Sequence, residues 1–294
     1  MSGPSPAPGR VLVTGAAGLI GREVTALLGR EGAAVTALVL DDPGGLAADR
    51  VVVGDAGDPR AVRDALAGVD AVVHLAALAS PAHGTAREVY LGNTGATFTV
   101  LDEAVRAGVR RAVIASSLSI LGLPFAERPL HPAYVPVDER LPLQIEDPYG
   151  LSKAVDEQIA GTYARQHGLA VVALRYPFVA DARREEQRRA DLAADPASGA
   201  RELWAHLDVS DAARAAWLGL TRPVEGFHAV FVAAPETLAP YPTGDLVARY
   251  HPGSELRRPL RGREVPIDLG AAERLLGFTA LHRREIEERP LPPP

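Results

Sequence analysis

Residues 10–21 read RVLVTGAAGLIG. The first five, RVLVT, have the apolar run of a parallel strand buried on both faces. Thr14-Gly15-Ala16-Ala17-Gly18-Leu19-Ile20-Gly21 follows at once and opens a helix predicted over about 19–31. Gly15 permits a tight turn, Gly18 lets backbone approach a pyrophosphate, and Gly21 lets the helix pack close to the strand. The free N–H groups of the helix N-terminus then face the phosphates. Glycines at this spacing also suit a plain tight turn. Their place between strand and helix points to dinucleotide binding.

Outward from that turn, AAVTALVL (33–40), VVV (51–53), DAVVHLA (70–76), RRAVIASS (110–117) and AVVALRY (170–176) read as further strands. Helices are predicted at about 59–67, 92–107 and 148–167, with residues 118–147 rich in loops. Strand and helix alternate, which predicts an α/β fold with a Rossmann-type, doubly wound parallel sheet. Beyond 177 the pattern loosens. DARREEQRRADLAAD (181–195) reads as an exposed helix or mobile lid, while a helix at 208–220 and the strand FHAVFVAA (227–234) return to the sheet. The predicted division is a flexible leader at 1–9, a dinucleotide-binding domain from 10–176 and about 206–235, and a small substrate lobe from about 177–205 and 236–294.

The 294 residues are 47% hydrophobic, enough for a sizeable core. A net charge of −6 argues against nucleic acid or an anionic membrane as the main partner. No apolar run reaches the roughly 18 residues of a membrane helix. MSGPSPAPGR lacks the apolar core of a signal peptide, so a cytoplasmic location is expected. With no cysteine, disulfide and thiol chemistry are excluded, and the eight histidines show no close metal-ligand spacing, so no metal is expected.

Of the 31 basic residues, one is lysine: Lys153. It stands four residues after Tyr149, in Tyr149-Gly-Leu-Ser-Lys153, so a helix puts both on one face. An ammonium beside a phenol favours the phenolate, and the tyrosine can then exchange a proton with a substrate hydroxyl or carbonyl. In a chain that otherwise uses arginine, the lone lysine suggests a position arginine cannot fill. Ser116 and Ser117 end the fifth strand, where ligands of parallel sheets sit. Asp41 or Asp42, after the second strand, is placed to hold the adenosine ribose and favour NAD over NADP, although Asp-Asp-Pro-Gly-Gly is also turn chemistry. Asp55 is placed to meet the adenine amino group, and it too suits a turn.

Together these residues resemble the extended short-chain dehydrogenase/reductase family, in its NAD-dependent epimerase/dehydratase group. TGAAGLIG resembles its glycine motif, HLAALA (74–79) its fourth-strand segment, SSLSILG (116–122) its serine segment, DPYGLSKAVDE (147–157) its Tyr-Lys helix, and WAHLDVSDAARA (204–215) a late segment. The resemblance implies Ser117, Tyr149 and Lys153 as the catalytic set. It implies cofactor contacts from Gly15, Ala17, Gly18, Leu19, Ile20 and Gly21, and from Asp41, Asp55 and Ala56. Further contacts would come from Leu75, Ala76, Ala77 and Asn93, from Tyr149 and Lys153, and from Tyr176, Pro177, Phe178 and Val179. Ser80, Ser119 and Arg175 are candidate substrate contacts.

The chain also departs from the pattern. Leu118 and Ser119 stand where dehydratases of the family place an acidic pair, which disfavours dehydration and decarboxylation. Leu121 replaces the usual tyrosine before Gly122, and Val39 the usual second-strand aspartate. Pro177-Phe-Val-Ala-Asp replaces a nucleotide-sugar-holding segment, so a full nucleotide sugar is less favoured. The expected activity is NAD-dependent epimerisation or dehydrogenation of a sugar-like secondary alcohol, with no nucleic-acid or membrane partner, in a homodimer paired through the helices near 92–107 and 148–167. The alternative is a dinucleotide-binding sensor without turnover.

Overall fold

The computed structural model describes residues 8–293, so most of the expected leader, residues 1–7, lies outside the described residues. Seven parallel strands form the central sheet. They are β1 (Arg10–Thr14), β2 (Ala34–Val39), β3 (Arg50–Val53), β4 (Ala71–His74), β5 (Arg111–Ser117), β7 (Ala170–Tyr176) and β10 (Phe227–Phe231). Their order across the sheet is β3-β2-β1-β4-β5-β7-β10. The chain reverses direction across the sheet between β1 and β4, and that reversal opens a crevice at the carboxyl ends of the strands.

Side-chain alternation along each strand feeds two apolar layers. Val11 and Val13 of β1 join Val73 and Val113 on one face, covered by α1 (Leu19–Arg30) and α6 (Val209–Thr221). Leu12 joins Val72 and Ile114 on the other, covered by α2 (Pro59–Ala65), α3 (Ala86–Arg106) and α4 (Pro148–His167). All seven side chains are at most 1% exposed. Burial of such a side chain contributes about 1.5–3 kcal/mol. Both faces of the sheet are therefore core, which is why its strands read as apolar runs rather than alternating ones.

Two helix starts position the site. α3 begins six residues before the expected 92, because Thr85 and Glu88 form a capping box: the Glu88 amide donates to Thr85 Oγ1 and the Thr85 amide to Glu88 Oε2. The start of α4 is set by Asp147, whose Oδ1 accepts from the Tyr149 and Gly150 amides at 2.9 and 2.8 Å, with Pro148 as its first residue. Tyr149 is thereby held in a rigid first turn.

A third core lies beyond the strand ends. It is built from Leu118–Leu123, from α5 (Ala182–Ala194) through Leu192, from Leu203 and Trp204, and from α7 (Thr243–Tyr250). Two short parallel pairs accompany it: β6 (Tyr134–Val135) with β11 (Glu255–Leu256) inside the lobe, and β8 (Phe178–Ala180) with β9 (His206–Asp208), whose Val179 and Leu207 pack on the main core. Two stretches pack otherwise than the sequence division implies. Leu118–Val137 joins this lobe rather than the sheet domain, because its apolar side chains meet Trp204 and Tyr241. α8 (Gly270–Leu276) and Phe278 leave the lobe and pack into the sheet core, where Ala272, Leu276 and Phe278 are buried. Among the described residues no helix is long and apolar enough to cross a membrane.

Candidate active site

A cavity of about 550 Å³ occupies the crevice at the carboxyl ends of β1, β4, β5 and β7. Its floor is the glycine turn. Gly15 has φ +66°, and a Cβ there would lie 2.8 Å from the Ala76 amide nitrogen. A Cβ on Gly21 would lie 2.2 Å from Gly15 O, so α1 packs this close to β1 only with glycine. Gly18 caps α1 without a side chain. The amides of Leu19 and Ile20, which line the cavity, take no acceptor among the described residues. Free amides at a helix N-terminus, with no side chain in front of them, fit a pyrophosphate.

The other wall carries the proposed proton centre. Tyr149, Lys153 and Ser117 all line the same cavity. Tyr149 is 7% exposed, and its ring meets the edge of Phe125 with centroids 6.0 Å apart. Lys153 Nζ lies 5.9 Å from the Tyr149 ring centroid and donates to Ala115 O and Asp156 Oδ2, both at 3.0 Å. Burial works against the ammonium, but Asp156, Tyr149 and Glu157 outweigh it and raise the Lys153 pKa above its ordinary value. Lysine therefore stays charged here. Ser117 Oγ accepts the Ser119 amide at 3.1 Å. Its own hydrogen has no acceptor among the described residues, so it can bind a ligand oxygen. Ser116 differs: its hydroxyl donates to Glu157 Oε1 at 2.7 Å and serves the frame.

Most of the expected contacts come together here: the glycine-turn residues, Leu75, Ala77, Ser119, Tyr176, Pro177, Phe178 and Val179 also line the cavity. Others do not. Arg175 is buried behind the site, its guanidinium bonded to both oxygens of Glu157 at 2.9 and 2.8 Å. Burying an arginine demands such a partner, and the pairing turns this side chain away from substrate. Ser80 accepts the Ala82 amide at 3.2 Å as the cap of a 3-10 turn. Asn93 is buried and bonds Leu78 N and O and Ser152 Oγ, so it fixes the loop after β4 to α4 instead of facing the cavity. Ala56 is buried in the core. Ala17 O accepts Arg22 Nε and the Ala76 amide donates to Thr14 Oγ1, so both shape the turn from outside the cavity lining. Asp55 Oδ1 accepts the Gly57 amide at 2.7 Å, and Asp42 Oδ1 the Gly44 amide at 2.9 Å, as turn chemistry implies. Asp41 is exposed, beyond the cavity lining.

The sequence reading missed Phe125, His83, Arg184 and Glu202, which also line the cavity. Arg184 stands in the first turn of α5, its guanidinium 5.4 Å from the Phe178 ring centroid. The signal was present: DARREEQ directly follows residues already expected at the cofactor, and Asp181 caps the helix by accepting the Arg184 amide. Glu202 pairs with Arg188 at 2.5 Å and sits beside Leu203 and Trp204, both at positive φ. No periodicity announces it.

Known proteins are similar to this chain. A UDP-glucose 4-epimerase of Azospirillum brasilense is 35% identical over 188 residues, covering 59% of this chain but only 50% of that enzyme. An L-arabinose 1-dehydrogenase (NAD(P)(+)) of Haloferax volcanii is 32% identical over 201 residues, 66% of this chain and 76% of the enzyme. A short-chain dehydrogenase/reductase superfamily protein from Agrobacterium tumefaciens, solved with bound NAD, superposes with a TM-score of 0.70 at 27% identity, covering 93% of each chain. Residues 11–234 match the model of the NAD dependent epimerase/dehydratase family, and the chain belongs to that family.

Proposed function

We propose that this protein is an NAD-dependent epimerase or dehydrogenase acting on a secondary alcohol of a sugar or sugar acid. The observation that carries this reading is that Tyr149, Lys153 and Ser117 line one cavity with the glycine turn. When bound, the nicotinamide takes up or returns hydride. The chain's residues do the rest. Tyr149 Oη takes the hydroxyl proton as the alcohol is oxidised and gives it back as the carbonyl is reduced. Lys153 keeps a positive charge beside that ring. The Ser117 hydroxyl orients the reacting oxygen. Leu118 and Ser119 put no acid next to the reacting carbon, which is why dehydration is not proposed.

Arg184 favours an anionic substrate group. It lines the cavity and has no acidic partner among the described residues. A carboxylate or phosphate would meet it there. The test is a screen of neutral sugars, uronic acids and sugar phosphates for NADH production, with analysis of any dinucleotide that co-purifies. Tightly retained NAD supports an epimerase, and an empty site supports a dehydrogenase. Loss of preference for acidic substrates in Arg184→Ala supports the anion contact. No turnover of any sugar, with NAD still bound, supports the sensor alternative. The same reading includes a cytoplasmic homodimer. Leu91 and Phe98 on α3 and Leu151 on α4 are exposed, at 46%, 52% and 45%, and suit pairing across a two-fold axis. A monomeric mass in light scattering at micromolar concentration would remove that part.

A further inference from the structure

Asp156 stands one turn after Lys153 on α4, and the proposed reaction gives it no task. It does not behave as an ordinary helix-surface partner. The Lys153 and Asp156 side chains are 4% and 2% exposed. Three observations set it apart. First, it is the carboxylate that touches the ammonium, Oδ2 to Nζ at 3.0 Å. Glu157, the other acid nearby, has both oxygens bonded to Arg175 and one also to Ser116. Second, Asp156 Oδ1 is buried and has no hydrogen-bond partner among the described residues, so the carboxylate is held by few groups. Third, a directed chain of hydrogen bonds from the glycine turn ends on Thr97, beside the carboxylate.

The direction of that chain follows from counting donors. Thr14 Oγ1 accepts the Leu75 and Ala76 amides, each at 3.2 Å. Both lone pairs are then used, so its hydrogen goes to His74 Nδ1, 2.7 Å away. His74 is neutral, because burial first and Lys153 second depress its pKa to about 3. Its proton is therefore on Nε2, which donates to Thr97 Oγ1 at 3.1 Å. Burial pushes the Asp156 pKa up, and the Lys153 charge first and the Thr97 hydroxyl second work against that by favouring the carboxylate. The hydrogen-bonded sequence Thr14, His74, Thr97 thus runs from the glycine turn across three elements to the side of the Lys153–Asp156 pair on α4.

We propose that Asp156 is a positioning residue for Lys153: a buried counter-charge that fixes where the chain's single ammonium sits and keeps it charged at the reaction centre. This rests on the reading of Lys153 as part of the proton centre. The groups facing Lys153 are Tyr149, Asp156 and Glu157 from α4, His74 from β4 and the Ala115 carbonyl from β5. Of these, Asp156 alone combines a charge with direct contact to Nζ.

The chain itself makes the test clean. Lys153 is the only lysine, so protein grown on lysine labelled at Cε and Nζ gives one side-chain resonance, and that resonance reports the charge of Lys153 directly. It needs neither substrate nor dinucleotide. The titration of Asp156→Asn should fall at least about one pH unit below wild type, because the ammonium keeps its burial and loses its counter-charge. Asp156→Glu should recover part of the shift, and Thr97→Val should move it down by less. Calorimetry should show NAD binding several-fold weaker in Asp156→Asn. Titrations that coincide in wild type and Asp156→Asn overturn the proposal. If Asp156→Asn does not fold, Thr97→Val decides: a downward shift supports the proposal, and an unmoved titration overturns it. A downward shift in a protein that turns over no sugar sinks the proposed function and leaves this role intact. Coincident titrations in an active enzyme do the reverse.

Discussion

The ammonium of Lys153 lies 5.9 Å from the centre of the Tyr149 ring, one helical turn away on α4, and both buried side chains line the same cavity as the glycine turn that follows β1. Tyr149→Phe keeps the ring and its edge contact with Phe125 but removes the proton. Turnover should fall by about 10²–10⁴-fold with NAD binding intact. Lys153→Arg preserves charge, yet a planar guanidinium does not fit between Ala115 O and Asp156. It should lose turnover and NAD affinity together, read by NADH production and calorimetry. Wild-type values for Lys153→Arg would leave the lone lysine without a function.

Cofactor choice should follow charge at the end of β2. Asp41 and Asp42 are exposed there, and no arginine or lysine stands between residues 31 and 49. Carboxylates repel a 2′-phosphate, so NAD should bind more tightly than NADP. Asp41→Ala should narrow that difference by weakening NAD. Tighter NADP binding to the wild type would sink the assignment.

Arg175 should matter to stability rather than to substrate affinity. Its side chain and that of Glu157 are 7% and 8% exposed in a two-point ion pair. Arg175→Met leaves Glu157 buried without its partner, a change that typically costs about 3–5 kcal/mol. Urea denaturation should show a loss of that order, while KM in the folded protein changes little. A large KM increase at unchanged stability would return Arg175 to the substrate site.

Acid should destabilise the fold through His74. Its pKa drops from 6.5 to about 3 on burial, so the unfolded chain binds a proton more readily than the native one between those values. The stability this group contributes is full above pH 6.5 and declines as pH falls toward 3, at up to about 1.4 kcal/mol per pH unit. His74→Asn removes that dependence. Denaturation midpoints measured between pH 7.5 and 4.5 should therefore fall less steeply in the variant. Parallel slopes would mean that His74 is not the proton acceptor.

Sequence alone carried the strand order's raw material and the centre of the site. Valine runs bounded by glycines specify strands buried on both faces. A glycine triplet between strand and helix has few uses, and Tyr149 and Lys153 four apart must share a helix face. These are local constraints, set by backbone geometry and helical period within a few residues. What sequence could not carry were partnerships made across the chain. Ser116 and Ser117 are adjacent, chemically alike and both at the cavity, yet the Ser116 hydroxyl is committed to Glu157 while the Ser117 hydrogen has no acceptor among the described residues. Arg175 reads as a ligand contact until Glu157 comes to lie beside it, and Asn93 until Leu78 and Ser152 do. Arg184 and Glu202 reach the cavity only because the lobe folds over the strand ends. Asp156 is an ordinary helix residue until Thr97, 59 positions earlier, comes to lie beside it. Local geometry thus determined which residues make up the proposed proton centre. Tertiary packing decided which polar groups are spent on each other and which remain free to meet a substrate, because a buried donor or charge takes whatever partner the fold brings to it.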